Sequence, residues 1–322
     1  MPSLNSDSIL RLNKAVDFID DNLDSNIKLK QLSDISCFSE SHFHRLFQDL
    51  TGQPPGEFIK RRRMVKSIFM LINRKSLPIS AISEVCGYST TSNFSKAFSQ
   101  YYGVSPTIIK KRFHPHEIKN FNSLIHNEFN DTLLKNRINR ESLSRYLINF
   151  KEKIGDEAYK ILRSKNTFST ITIDTLTYMY SRTYGYHTEG LSFQNSIRQF
   201  SYINDVKKHY PETKALSVFL DGVDYNQPEQ CRYDAGITIP NDFDGYKHVG
   251  RRDIASGLYV TITLQLPLPK LHFIWCYLVS IWLPTTFYEL DARPAFCEYS
   301  LIPGTPAYEK LNIKFYLPVH SC

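Results

Sequence analysis

The sequence predicts a multi-domain protein: an all-α N-terminal domain with two helix-turn-helix units, a helical linker, and an α+β C-terminal domain. A chain of 322 residues, 42% of them hydrophobic, has enough length and apolar material for more than one packed core. Helical periodicity occurs twice in the first third, and it gives way to strand periodicity from Phe168 onward. The boundaries we expect are residues 1–113, 114–165 and 166–322.

An internal repeat in the first third of the sequence predicts the two helix-turn-helix units. Apolar residues fall at i, i+3, i+4 and i+7 in both copies, which indicates helices with one buried face. In both copies a short apolar helix precedes a turn, at residues 37–39 and 86–89, as in helix-turn-helix motifs. The pairs 51 positions apart are Phe43 and Phe94, Leu46 and Ala97, Phe47 and Phe98, Leu50 and Tyr101, Gly52 and Gly103, and Pro55 and Pro106. Upstream, at an offset of 50, Leu29, Leu32 and Ile35 match Ile79, Ile82 and Val85.

Further helices are predicted around the two units. One runs from Ser8 to Asn22, a longer one from Glu57 to Asn73 joins the units, and a short basic one leads from Pro106 to Arg112. Residues 114–165 are polar but keep periodic apolar positions, so we interpret them as a helical linker. Two roles for the linker stay open at this point: helices that cap the neighbouring domain, or a dimer contact.

The C-terminal domain is predicted from β-branched and aromatic runs that alternate with single helices, a pattern typical of α+β domains. The predicted strands are 170–174, 176–184, 215–221, 232–239, 257–264, 296–302 and 311–319. The predicted helices are 191–209 and 271–283.

Charge and composition narrow the class of protein. Residues 1–113 carry 16 Lys and Arg against 10 Asp and Glu, which suits a surface that binds a polyanion, although a solvated helix surface has the same composition. The six cysteines lack metal-ligand spacing, so we expect no metal and no cofactor. The N-terminus does not resemble a signal peptide, and the longest apolar run, 273–283, is too short for a membrane helix. We therefore expect a cytoplasmic protein that does not contact membranes.

The second helix of each helix-turn-helix unit presents candidate DNA-reading residues. If their apolar stripes are buried, the positions that face away near each helix N-terminus lie where recognition helices meet base edges in the major groove. Arg45 has the geometry to pair with guanine, and Lys96 to pair with a base or a phosphate. These base-reading candidates are Ser41, His44 and Arg45 in the first copy, and Thr91, Ser92, Ser95 and Lys96 in the second.

The length of the helix between the units predicts that one chain can read two successive grooves without dimerising. About 17 residues at about 1.5 Å each span roughly 26 Å, which brings the recognition helices about one DNA turn apart. Basic residues on and after this spacer are candidates for phosphate contacts, which position a protein without reading sequence. We expect these contacts from Arg61, Arg62, Lys110 and Lys111.

Residues 8–113 resemble the AraC/XylS family of bacterial transcription regulators. The resemblance is carried by the segment from Ile79 to Phe98, ISAISEVCGYSTTSNFSKAF, and by Gly103-Val-Ser-Pro106. It implies a non-enzymatic activator that binds promoter DNA as double strand and contacts RNA polymerase, localised to the nucleoid in the bacterial cytoplasm. The family's base-reading positions fall on the residues just derived. Ser41 stands where some relatives place a bulky aromatic residue, so their half-site sequence does not transfer.

The C-terminal half combines many aromatic residues with few charges. Glu298 lies between Cys297 and Tyr299 in an apolar strand, and alternation turns it to the face opposite these neighbours. Trp275 and Trp282 are seven positions apart, hence on one face of a helix. A carboxylate framed by aromatic rings suits a cationic, apolar ligand, whereas an aromatic core with a solvent-facing Glu is the alternative.

Residues 168–320 resemble GyrI-like effector-binding domains, which follow AraC-type domains in Rob-like regulators. The matching pieces are 184–186, 232–236, 257–259, 275–284, 296–299 and 317–319, in this order. The resemblance implies a small-molecule effector bound by Glu298 and Tyr233, together with Trp275 and Trp282. Residues 263–270 lack the polar loop usual in that family.

Two other functions for the C-terminal domain stay open in the sequence. One is a module that binds a protein such as RNA polymerase. The other is a small hydrolase with Glu298 as general base and Tyr233 as acid. Because the sequence offers no nucleophile with a base and no metal site, we expect that the protein is not an enzyme.

Overall fold

The computed structural model describes residues 4–74, 76–112, 150–164, 167–185, 206–221, 230–240, 243, 249–267, 270–301 and 310–321. The described helices up to Arg112 belong to one compact unit, and the described elements from Phe150 onward belong to a second. The predicted fold class is confirmed, since a helical N-terminal domain precedes a domain built on an antiparallel sheet.

The described part of the N-terminal domain is entirely helical between its turns. Its helices are α1 (Ser6–Asp21), α2 (Leu29–Ile35), α3 (Glu40–Thr51), α4 (Pro55–Asn73), α5 (Ile79–Val85), α6 (Thr91–Tyr102) and α7 (Pro106–Arg112). The pairs α2–α3 and α5–α6 are the two predicted helix-turn-helix units, and α4 joins them.

The two units have cores of the same construction. Phe43 and Phe47 of α3 are fully buried, as are their counterparts Phe94 and Phe98 of α6. The helix α4 contributes to both cores, because Phe58 packs edge-on against Phe47 and Met64 belongs to the core of the second unit. The apolar stripe therefore faces inward in both copies, as its period predicts.

The C-terminal domain is one antiparallel sheet covered by helices. Its strands are β1 (Ser169–Ile173), β2 (Leu176–Tyr184), β3 (Ala215–Phe219), β4 (Arg232–Thr238), β5 (Gly250–Ile254), β6 (Gly257–Leu266), β7 (Tyr288–Leu290), β8 (Ala295–Leu301) and β9 (Leu311–Ser321). Among the described residues the strand order is β1-β6-β9-β8-β3-β4-β2-β5, and β7 pairs with the end of β9. The sequence reasoning missed β5 and β7.

Helices cover one face of this sheet. They are α8 (Phe150–Ile154), α9 (Asp156–Arg163) and α10 (Leu271–Tyr277), which continues as a π-turn (Leu278–Trp282) and a short 3₁₀ turn (Leu283–Thr285). The ring of Phe150 stacks on Tyr277, whose hydroxyl donates to the Leu162 carbonyl, and α9 packs on β6. The end of the predicted linker thus packs on the C-terminal domain, as the capping alternative predicts for it. Residues 113–149 lie outside the described part, as does most of the predicted helix 191–209.

Along β6 the covered face is visible in the exposure of its residues. Leu264 and Leu266 are buried, whereas Thr263 and Gln265 between them are exposed. The strand pairing carries this alternation across the sheet, so residues of distant strands can be assigned to one face or the other.

Candidate nucleic-acid interface and effector face

The two recognition helices are built alike from cap to cap. Each has 12 residues; Ser39 caps α3 by accepting from the His42 amide, and Thr90 caps α6 by accepting from the Asn93 amide. Each ends on a glycine in the left-handed region, Gly52 at φ 73° and Gly103 at φ 80°, where a side chain would be strained. The sequence thus specifies two helices of equal length with defined ends.

The predicted base-reading residues lie on the outer side of these helices. Ser41, His44 and Arg45 are exposed on α3, opposite buried Phe43 and Phe47. On α6, Ser92 and Lys96 are exposed, while Ser95 and Thr91 are half-buried. The hydroxyl of Thr91 lies 3.4 Å from that of Ser83, in the preceding helix. Five of the seven predicted residues are therefore accessible to solvent, whereas Thr91 and Ser95 are partly covered.

The structure corrects the predicted phosphate contacts on α4. Arg61 is 3% exposed; its Nε donates to Gln53 Oε1 at 3.0 Å, and its guanidinium lies over the Phe58 ring. Arg62 Nε donates to Asp20 Oδ1 at 2.8 Å, in a pair whose side chains are 13% and 10% exposed. Both guanidinium groups hold the domain together instead of facing outward, because a run of four basic residues encircles the helix and part of it must turn inward.

The basic residues of α7 divide in the same way. Lys110 is half-buried and its Nζ donates to the carbonyl of Leu77, in the turn that follows α4, so it serves the fold. Lys111 is exposed, and its contact with a phosphate stays a prediction. Lys60 on α4 is also exposed, with Glu57 at 3.9 Å, and the sequence reasoning did not select it.

In the C-terminal domain, Glu298 lies on the face of the sheet opposite the helices. We call this the aromatic face, defined by Tyr178, Tyr180, Leu216, Val218, Tyr259, Phe296, Glu298 and Tyr316. The rings of Phe296 and Tyr316 stack with centroids 4.2 Å apart, and Tyr259 meets Phe296 edge-on at 5.5 Å. Glu298 therefore lies beside the stacked rings of Phe296 and Tyr316, which are themselves buried.

The carboxylate of Glu298 already has an ammonium partner. Lys214, just before β3, places Nζ 3.1 Å from Glu298 Oε2 and 3.3 Å from Oε1. Burial, and the hydrogen bond with the Glu298 carboxylate, raise the pKa of Tyr316 well above its usual value. Lys314, directly across from Glu298 on β9, holds Nζ 5.1 Å from the Tyr316 ring centroid. The sequence did not reveal Lys214, because only the pairing of β3 with β8 brings it close.

Two ion pairs are fully buried on the same side of the sheet. Arg182 donates to the Asp234 carboxylate from Nε at 2.7 Å and from Nη2 at 2.8 Å. Arg232 donates to the Asp221 carboxylate from Nε at 2.7 Å and from Nη2 at 3.0 Å. Each pair is bidentate with both side chains 0% exposed, so each charge is balanced inside the protein. These residues are paired with each other, and we do not assign them to ligand binding.

Tyr233, also predicted to bind the effector, does not share a face of the sheet with Glu298. Tyr233 sits on the opposite face of the sheet, where its hydroxyl bonds to Ser217 and its ring meets Phe219. Trp275 and Trp282 lie in the α10 segment, and Trp282 packs on Phe168 at 4.6 Å. A π-turn interrupts that segment, so it is not the continuous α-helix that was predicted. The strand pairing therefore separates Tyr233 from Glu298, and the assignment of Trp275 and Trp282 to the effector stays a prediction.

The described residues contain no group of His, Cys, Asp and Glu placed to hold a metal ion. In that same part of the chain, no helix combines the length and the apolar character that crossing a membrane requires.

Comparison with known proteins agrees with both halves of the chain. The family described as "Helix-turn-helix domain" matches residues 32–112, and the one described as "GyrI-like small molecule binding domain" matches residues 167–320. MarA of Escherichia coli, a multiple antibiotic resistance protein, is 30% identical over 106 residues, which are 33% of this chain and 82% of MarA. The chain belongs to the AraC/XylS family of transcription regulators.

Two further proteins are similar to about a third of this chain. LumQ of Photobacterium leiognathi, a probable transcriptional regulator, is 32% identical over 99 residues, which are 30% of this chain but 40% of LumQ. The C-terminal domain of AraT, a response regulator from Geobacillus stearothermophilus, is 26% identical and covers 32% of this chain and 86% of that domain, with a TM-score of 0.31. The two family matches, with MarA, show a DNA-binding AraC-type regulator with a GyrI-like small-molecule binding domain.

Proposed function

We propose that this regulator is an activator whose two recognition helices read successive major grooves of one promoter. The observation that carries the proposal is the identical construction of α3 and α6, each with buried aromatics behind and polar residues exposed in front. The helix α4 has 19 residues and is therefore about 28 Å long, close to one DNA turn when the offsets at its ends are added. Residues 1–113 would then contain the complete DNA reader.

Within this reader each residue has a defined role. Arg45 offers the bidentate fork that matches guanine, and Lys96 offers a single ammonium to a base or phosphate. The hydroxyls of Ser41, Thr91, Ser92 and Ser95, together with the His44 ring, supply further hydrogen bonds to base edges or to phosphates nearby. The exposed Lys111 supplies a phosphate contact that positions the domain without reading sequence.

Binding to duplexes of varied sequence tests the DNA assignment. A site is first selected from random duplexes with the full chain, and affinities are then measured on every single-base variant. Arg45→Ala should cost about 1–3 kcal/mol on the selected site and relax the preference at one position. Lys14→Ala, an exposed charge on α1, is the matched control and should keep the preference. Equal losses on selected and random duplexes would rule out base reading by Arg45.

For the C-terminal domain, the proposed effector is a small cationic, apolar molecule bound on the aromatic face. The support is the position of Glu298 beside the stacked Phe296 and Tyr316, since a carboxylate with ring faces suits such a ligand. Lys214 occupies the carboxylate in the described structure, so the effector's cation must displace its ammonium group. A ligand with higher affinity for one arrangement of the protein then shifts the population toward it.

The test compares two probes of like shape and opposite charge. Tetraphenylphosphonium should bind saturably in calorimetry and lose its affinity in Glu298→Gln, while tetraphenylborate should bind weakly to both proteins. Glu157→Gln, which removes an exposed carboxylate paired with Lys310, serves as the control. Equal binding of both probes, or cation binding that survives Glu298→Gln, would contradict the assignment.

Activation also implies a contact with RNA polymerase, as in other AraC/XylS activators. Transcription in vitro from the selected site, with purified polymerase, should rise when the regulator and the cation are both present. A fall in transcription would make the protein a repressor and would leave the DNA-reading assignment unchanged.

A further inference from the structure

The internal repeat extends to the helix that precedes each helix-turn-helix unit. Leu12, Val16 and Ile19 of α1 correspond to Met64, Ile68 and Leu71 of α4, 52 positions later, and all six are 0% exposed. The same offset aligns Arg11 with Arg63. Each unit therefore begins with a helix that carries an arginine at the same place.

In the first unit, this arginine holds the turn of its own unit. Arg11 Nε donates to the Ser36 carbonyl at 2.7 Å, and Nη2 donates to the Cys37 carbonyl. Its guanidinium carbon lies 3.9 Å from the centroid of the Phe38 ring. Arg11 thus fixes the turn between α2 and α3 to α1, and all its contacts stay within one unit.

In the second unit, the corresponding arginine binds across to the first. The guanidinium carbon of Arg63 lies 5.9 Å from the ring of Tyr88, in the turn between α5 and α6. Its donors, however, reach the segment after α1: Nε donates to the Leu23 carbonyl at 3.0 Å, and Nη2 to the Ser25 carbonyl at 2.5 Å. Arg63 therefore links the turn of the second unit to the first unit.

Gly87 makes this close approach possible. A Cβ at Gly87 would overlap the Leu23 carbonyl oxygen and lie 2.7 Å from Arg63 Nη2, and its φ of +75° also favours glycine. Cys37 holds the equivalent turn position in the first unit, at φ 52°. The backbone of the second turn thus lies against the segment that ends α1, with the guanidinium between them.

The contact between Arg63 and the segment after α1 is polar and borders a cleft. A cleft of about 740 Å³ opens at this point, lined by residues 24–26 and 87–91 and by side chains of α4 and α5. Because a cleft provides little apolar packing, hydrogen bonds must hold the two units together on this side. The helix α4 also joins the two units, since Phe58 packs in the first core and Met64 in the second.

We propose that Arg63 is a positioning residue for DNA binding, which sets the orientation of α6 relative to α3 by tying the second turn to the segment after α1. It acts through the two recognition helices and touches no base. The inference rests on the proposed function, since orientation matters only if both helices engage one duplex. With the tie in place the helices are preorganised, and without it binding must also supply the ordering of the two units.

Duplexes with altered half-site spacing test this role in the full chain. The set comprises the complete site, each half-site alone, and the complete site with one base pair inserted between the halves. Arg63→Gln should weaken binding to the complete site at least about tenfold, leave half-site binding within about twofold, and reduce the penalty of the insertion. Lys14→Gln removes one exposed charge from α1 and should change none of these values.

Two further variants keep the test decisive if Arg63→Gln is poorly folded. Arg63→Lys keeps the charge and the stem over Tyr88 but cannot reach both carbonyls, so it should also lose affinity for the complete site alone. Arg11→Gln removes the tie within the first unit and should weaken that half-site without changing the spacing preference. Thermal unfolding of each variant shows whether the fold is retained.

Several outcomes would overturn the proposal. A loss of equal size on half-sites and on the complete site would assign Arg63 to stability alone. A salt dependence reduced by about 0.9 in slope would make it a phosphate contact. Full affinity of Arg63→Lys for the complete site would also refute it. If the wild-type protein does not prefer two half-sites to one, two-groove reading itself fails, whatever Arg63 does.

Discussion

Replacing Lys214 with glutamine should strengthen the binding of a hydrophobic cation. The ammonium group of Lys214 lies 3.1 Å from Glu298 Oε2, where the positive charge of the proposed effector would bind. Removal of a lysine beside a binding site usually weakens the binding of anions; here it removes a competitor of the cation. The sign of the effect therefore distinguishes competition from a role in anion binding.

The exposure of Lys214 sets the magnitude. Its side chain is 52% exposed and that of Glu298 15%, so the pair is screened by water and is worth about 0.2–1 kcal/mol. Because about 1.4 kcal/mol corresponds to a tenfold change in affinity, Lys214→Gln should raise the affinity for tetraphenylphosphonium about 1.4- to 5-fold. The gain should fall to nothing in a Glu298→Gln background, where no carboxylate is left to release.

Calorimetric titration of the four proteins of this double-mutant cycle measures the coupling directly. Lys310→Gln, which breaks the exposed pair with Glu157, is the matched control and should leave the affinity unchanged. Weaker cation binding in Lys214→Gln would refute competition at Glu298. So would an equal gain in the Glu298→Gln background, since the effect of Lys214 would then not pass through that carboxylate.

Three further predictions concern the fold. Arg61→Gln should lower the urea midpoint of unfolding, because Arg61 is buried, whereas Lys111→Gln should leave it unchanged and weaken DNA binding only; equal behaviour would contradict their separation. Asp234→Asn, which removes the anionic partner of buried Arg182, should cost about 3–5 kcal/mol in urea unfolding, and a loss below about 1 kcal/mol would be inconsistent with this pair. Burial raises the pKa of Tyr259 from 10.0 to about 12; the protonated form is favoured in the folded state, so stability present below pH 10 should be lost as pH rises toward 12, and an absorbance titration with a normal midpoint would contradict this.

The helical half of the fold follows from local sequence. The spacing of Phe43 and Phe47, repeated by Phe94 and Phe98, determines which side of each recognition helix is buried. The outer positions then follow from geometry, which is why Ser41, His44, Arg45, Ser92 and Lys96 are exposed, while Thr91 and Ser95 are half-buried. A period of 3.6 needs no knowledge of distant parts of the chain.

Arg61 and Arg62 on α4 were predicted to face DNA phosphates but turn inward, and this has a physical reason. A run of four basic residues leaves no periodic signal, so the sequence does not say which of them face the core. Arg61 and Arg62 turn inward because Gln53 and Asp20, from other segments, offer acceptors there. Such pairing depends on tertiary contacts, which local patterns do not contain.

The aromatic face shows the same limit in the sheet. Alternation within β8 places Glu298 opposite its neighbours, but the relation between β8 and β4 is set by the register of β3 between them. That register puts Tyr233 on the other face. The edge strand β5 escaped prediction because Arg251, Arg252 and Asp253 interrupt its apolar pattern, as is common for edge strands.

The sharing of α4 by two cores has a consequence for cooperativity. Phe58 completes the first core, and Met64 with Ile68 completes the second, so neither reader keeps its interior if this helix unwinds. The two readers are therefore expected to melt together in a single transition, although each is only a few helices in size. A destabilising mutation would therefore be expected to reduce DNA binding by both units together, without producing a protein in which only one unit is folded.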